Sequence, residues 1–142
     1  MSAISLLLVF FGPGYILYAT LGLFESNPND RLCYRLLKGK LYYQHLIAAS
    51  FLLAIGTFRV SEGNFRDVWA IAPFLFLVLL PLVNMLVKFA KGRNIMIYTR
   101  WDTIPDNYSV FYDGVLGILL ISIPIIIPGY IMNKLNTGQF II

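Results

Sequence analysis

Charged side chains are missing from three long windows of this chain, and that pattern leaves few folds open to it. Met1 to Phe24 carries none; Val68 to Val87, bracketed by Asp67 and Lys88, carries none; Gly114 to Asn133, bracketed by Asp113 and Lys134, carries none. At 1.5 Å per residue a helix of about twenty residues crosses a hydrocarbon layer of roughly 30 Å. A fourth window, Leu41 to Phe58, is free of charge with His45 neutral, but it opens on Tyr42, Tyr43, Gln44 and His45. Its strictly apolar part, Leu46 to Phe58, has the length of a buried helix in a soluble protein. The aromatic and polar residues at its start suit a headgroup layer, and Arg59 at its far end has the reach to snorkel, so it reads as a span.

The sequence therefore predicts an all-α integral membrane protein, a bundle of four spans near 3–24, 41–60, 68–88 and 114–134 in a single membrane domain over 1–142. Hydrophobic residues make up 58% and charged ones 13%, against about 25% charged in soluble domains. The first window lacks the positive n-region of a signal peptide and stays apolar too long for one, so it reads as a retained span.

Basic residues set the expected orientation. Arg31, Arg35, Lys38 and Lys40 lie between spans one and two, and Lys88, Lys91, Arg93 and Arg100 at the end of span three and in the loop to span four; the opposite side has only Arg59, Arg66 and Lys134. By the positive-inside rule the loops 25–40 and 89–113 face the cytoplasm or matrix, with both termini outside. The net charge of +4, placed at span ends, fits anionic lipid headgroups rather than nucleic acid.

The two basic loops differ in character. Asn27-Pro28-Asn29-Asp30 is a turn with a helix N-cap signal, and Arg31 to Gln44 follows with Arg31, Arg35 and Lys38 on one side and Leu32, Leu36, Leu37 and Leu41 on the other. This predicts a short amphipathic interfacial helix, bent at Gly39, leading into span two. In the second loop Lys91-Gly92-Arg93-Asn94 is a turn, Ile95 to Thr99 has strand-like composition, and Arg100 to Tyr108 mixes aromatic with charged residues. Trp101, Tyr108 and Tyr112 read as an aromatic belt, with Arg100 and the aspartates in surface pairs. The candidate contacts for lipid headgroups or a partner are thus Arg31, Arg35, Lys38, Lys40, Lys91, Arg93, Arg100 and Trp101. The Asn107-Tyr108-Ser109 sequon falls on the cytoplasmic side and is expected to be unmodified.

Pro13, Pro73, Pro81, Pro124 and Pro128 lie inside the spans. Each removes a backbone donor and crowds the preceding turn, which predicts kinked helices, sharpest at Gly12-Pro13-Gly14. Carbonyls freed in lipid need donors from neighbouring helices, hydroxyls or water. Small residues mark close approaches: Ser50, Ala54 and Thr57 on span two, and Gly114, Gly117 and Ser122 on span four, read chiefly as internal packing.

No catalytic pattern emerges, and the sequence predicts neither enzyme activity nor a cofactor or metal. Cys33 is the single cysteine and His45 the single histidine, which leaves no disulfide, redox pair or ordinary metal set. Asp102, Asp106 and Asp113 have no His or Cys partner. The deep polar residues Ser5, Tyr15, Tyr18, Thr20, Ser50, Thr57, Asn84 and Ser122 include no acid or base, which disfavours an ion-coupled carrier. In format alone, small, basic and multi-spanning, the chain is similar to bacterial immunity proteins against pore-forming toxins; no residues match. The expected role is a small subunit or assembly factor of a larger complex in a bacterial or organellar inner membrane, binding other membrane chains. The alternatives are an immunity-type protein using Arg59, Glu62, Arg66 and Asp67 for recognition, and a homo-oligomeric channel or transporter.

Overall fold

The computed structural model describes residues 3–21, 31–98 and 102–138. The Asn27–Asp30 cap signal, Arg100, Trp101 and Thr99 lie outside the described residues. The chain forms α1 (Ala3–Leu21), α2 (Leu32–Leu36), α3 (Lys40–Ser61), a 3-10 segment (Phe65–Ala70) running directly into α4 (Ile71–Lys91), and a π turn (Val110–Val115) running directly into α5 (Leu116–Asn136). No strand occurs among the described residues. Among the described residues four helices are long and apolar enough to cross a membrane: α1, α3, the 3-10 segment with α4, and the π turn with α5.

The core follows from the pattern of α4, where Ala72, Phe76, Leu80, Val83 and Val87 repeat at intervals of three and four and form one buried stripe with Leu77. Packed on it are Ile16 and Ala19 of α1, Leu32, Cys33 and Leu36 of α2, Ala49 of α3 and Leu120 of α5. The helix expected from Arg31 to Gln44 is two pieces. Gly39, at φ 129° and ψ −118°, holds a backbone conformation that only glycine adopts easily, and it turns the chain from α2 into α3.

The prolines sit in the helices in different ways. Helix α1 continues through Gly12-Pro13-Gly14 as one helix. Pro73 stands in the first turn of α4, where a missing N–H matters least. Pro81 lies inside α4, and because it has no N–H, the Leu77 carbonyl loses its α-helical donor. The Tyr42 hydroxyl of α3 donates to that carbonyl at 3.0 Å, so the deficit in one helix becomes a bond between two.

The 3-10 segment is a wedge. It touches α1, α3 and α5, and glycines make room for it. A Cβ on Gly12 would stand 2.6 Å from the Trp69 carbonyl oxygen, and one on Gly56 would stand 2.8 Å from the Asp67 carbonyl oxygen and collide with the Ala70 methyl. The two basic loops meet at one end of the bundle, where Arg31 pairs with Asp102. At the other end the last turn of α3 meets the 3-10 segment and the start of α1, through Arg59, Asp67 and Ser5.

Gly12→Ala and Gly56→Ala are expected to destabilise the protein by about 1–3 kcal/mol through overpacking against backbone. Gly14, which has nothing within 4 Å of its would-be Cβ, should tolerate alanine or gain up to about 1 kcal/mol in helix propensity. Thermal unfolding of the three variants in one detergent checks this ordering.

Candidate functional site

After α4 ends, Gly92 takes the left-handed conformation at φ 69° and reverses the chain. Residues 94–98 then follow outside any helix, with Ile95 and Ile97 buried in the core. A backbone outside helix and sheet has no ladder to complete its hydrogen bonds, yet its buried amides require partners. Side chains from three helical elements provide them. The Ile95 amide donates to Asn84 Oδ1 of α4 at 2.9 Å, the Met96 amide to Asp113 Oδ1 of the π turn at 2.9 Å, and the Ile97 amide to the Tyr34 hydroxyl of α2. Arg31 Nη1 donates to the Ile97 carbonyl at 2.6 Å. Burial pushes the Tyr34 phenol well above its ordinary pKa, so it remains a hydroxyl, able to serve as acceptor and donor.

Asp113 is the hub of this end. Arg93 grips it with both guanidinium nitrogens, Nη1 to Oδ1 at 2.9 Å and Nη2 to Oδ2 at 2.6 Å, while the Ser109 amide donates to Oδ2 at 2.8 Å. The Ser109 hydroxyl in turn accepts from the Tyr112 amide at the start of the π turn. Arg93 also donates to the Asn107 carbonyl at 2.6 Å, so one ion pair ties the end of α4, the loop after it and the start of α5. In a second pair, nearly closed to solvent, Arg31 Nη2 donates to both carboxylate oxygens of Asp102, at 2.7 and 2.6 Å.

A third pair, with its carboxylate buried, holds the opposite end. Arg59 Nε donates to Asp67 Oδ2 at 2.5 Å, and Asp67 is fully buried within the 3-10 segment. Along the bundle, the Tyr15 hydroxyl and His45 Nδ1 are 2.9 Å apart, joining α1 to α3.

Of the residues predicted to contact headgroups or a partner, Arg31 and Arg93 turn inward and are taken up by carboxylates. Arg35, Lys38, Lys40 and Lys91 are exposed at the same end. Lys91 also places its ammonium 5.2 Å from the centre of the Tyr112 ring, within the range of cation–π attraction. The aspartates expected in surface pairs divide: Asp113 is buried and Asp102 nearly so, while Asp106 is exposed. Ile95 to Tyr98, strand-like in composition, forms no strand, and side chains take the place of a strand partner. Sequence reasoning passed over Tyr34 and left Asn84 without a role. The available signal for Asp113 was an acid directly flanking a span, in a loop that also carries Arg93 and Arg100.

The small residues of α3 also lie differently from the expectation of internal packing. Ser50, Ala54 and Thr57 are all exposed, and both hydroxyls bond back to their own helix, at Leu46 and Leu53. Among the described residues no group of three or more His, Cys, Asp or Glu side chains is placed to hold a metal ion.

Asp113→Ala is expected to cost about 2–3 kcal/mol, because it leaves two amides and a half-buried guanidinium without their acceptor. Arg93→Ala with Asp113→Ala should cost less than the sum of the single changes. Unfolding in detergent measures the energies, and amide exchange should show protection lost at Met96 and Ser109 in the Asp113 variant. No family model, no curated protein and no solved structure matches the chain.

Proposed function

We propose that this chain is a non-catalytic multi-pass membrane protein that works by helix packing, as a small subunit or assembly factor of a larger complex in a bacterial or organellar inner membrane. The observation that carries this reading is the state of α3. It is the least apolar of the four long helices, with mean hydropathy 1.3 against 1.8 to 2.5, and only 11% of its window is buried, against 50% for the span containing α4. Its outward face bears the stripe Ser50, Ala54, Thr57, the kind of small-residue surface that lets a second helix approach closely in lipid.

On this reading the basic end, with Arg35, Lys38, Lys40 and Lys91, lies among anionic headgroups on the cytoplasmic or matrix side, and α2 rests at that interface. The helices bend at Pro81, Pro124 and Pro128, which shapes the bundle for its neighbours. The immunity-type reading draws less support, because Arg59 and Asp67, two of its four recognition charges, are paired with each other.

Native mass spectrometry of the tagged chain, extracted from its host in mild detergent, tests the proposal. A stoichiometric membrane partner is expected with the unaltered chain and should be lost on Ala54→Trp, a change at an exposed position that leaves the core intact. A chain that travels alone, or a partner indifferent to Ala54→Trp, would count against docking through α3.

A further inference from the structure

His45 is the single histidine of the chain, and the fold carries it away from the headgroup layer that its sequence neighbours suggest. The Tyr42 hydroxyl, three residues before it, reaches the Leu77 carbonyl. The Tyr15 ring, 5.8 Å from the His45 ring, stands edge-on to Phe76 at 6.1 Å. Phe76 and Leu77 lie near the middle of the long helix Phe65–Lys91, so a half-buried imidazole is held at mid-bundle. Ionisable groups at such depth are costly and mark function.

A neutral imidazole has one nitrogen that donates and one that accepts. The Tyr15 hydroxyl, 2.9 Å from His45 Nδ1, has no other hydrogen-bond partner among the described residues. The arrangement that satisfies it has the hydroxyl donating to Nδ1, with the ring proton on Nε2. A proton taken up from water binds the same Nδ1 lone pair. Nδ1 then becomes a donor, the Tyr15 O–H is left without an acceptor, and the ring carries a positive charge among apolar helices. The titratable and charged groups around it are Tyr15 of α1, Arg35 of α2, and Tyr42 and Tyr43 of α3 itself. Helix α4 presents Phe76, and its lysines, Lys88 and Lys91, lie about three turns or more further on. Among the described residues no carboxylate stands by the ring to offset the charge, and Arg35 adds a charge of the same sign.

The two helices joined by this bond are each secured elsewhere. Helix α1 packs on the wedge through Gly12 and on α4 through Ile16 and Ala19. Helix α3 packs on the wedge through Gly56 and bonds to α4 through Tyr42. A further polar link between α1 and α3, from Arg59 to Ser5, is long at 3.5 Å. Parting α1 from α3 near His45 therefore breaks neither the core stripe of α4 nor the seat of the wedge.

We propose that Tyr15 and His45 form a proton-operated latch between α1 and α3, shut while the imidazole is neutral and released when His45 takes up a proton. The proposal takes the four long helices as membrane spans, and it stands whether or not a partner docks on α3.

The test uses the full chain, purified without partners, in phosphatidylcholine nanodiscs. With one histidine in the chain, nitrogen-15 labelling of histidine gives a single pair of ring signals. At about pH 8 these should report the Nε2–H tautomer with Nδ1 accepting, and towards about pH 5 a doubly protonated ring. Spin labels on Leu17→Cys with Ala48→Cys, both exposed positions, read the separation of α1 and α3, Cys33 being buried. That separation is expected to lengthen by several ångströms over the same titration, while an α3–α4 pair on Ala48→Cys with Val78→Cys stays unchanged. His45→Gln, whose amide oxygen accepts from Tyr15 but does not titrate, should hold the short separation throughout. Tyr15→Phe should show the long one already at about pH 8, where the wild-type ring is neutral. A ring that stays neutral across the range, a separation indifferent to its protonation, or an acid response that survives in His45→Gln would each overturn the proposal.

Discussion

Buried peptide groups need hydrogen-bond partners, and the arrangement of this bundle's basic end is the answer to that need for one short stretch. Ile95, Met96 and Ile97 enter a helical core without a strand to pair with. Asn84, Asp113 and Tyr34 each receive one amide, and Arg31 covers a carbonyl. A half-satisfied network in a low-dielectric interior is worse than none, so the four side chains form an interdependent set. Their positions fix where α2, α4 and the start of α5 stand relative to one another.

The two ends of the molecule solve the same problem with different materials. At the basic end a loop segment outside any helix is bound by side chains, and Ile97 packs against the bare face of Gly117. At the other end a 3-10 segment keeps much of its own hydrogen bonding, and the helices yield to it through Gly12 and Gly56. Each end also carries at least one buried arginine–carboxylate pair. Such pairs add little net stability compared with apolar packing, but they tolerate no missing partner, so they favour one arrangement over its near alternatives.

Much of the fold was legible from where charges are absent, because the transfer of charge into hydrocarbon is the dominant energy and leaves its mark residue by residue. The four long helices and the turn at Gly39 follow from that and from glycine's freedom at positive φ. The expectation that proline-freed carbonyls find donors on neighbouring helices is met at Leu77 by Tyr42. What did not show was which charges are internal. Arg31 and Arg35 look alike in sequence, one turn apart, yet one is buried against Asp102 and the other exposed, and that choice depends on a loop some seventy residues away. The small stripe of α3 was equally ambiguous, since spacing identifies a face without saying which way it points.

The hub at Asp113 also links distant parts of the chain. Its carboxylate opens the last long helix, whereas the guanidinium and amide that it binds belong to the loop before it, and the carboxylate that receives Arg31 lies in that same loop. Until the first turn of that helix is in place, the segment before it has an unpaired arginine and two unanswered amides, a state that resists burial. The basic end therefore closes only where both loops and the start of the last long helix meet, which ties the position of Arg31 to residues far along the chain.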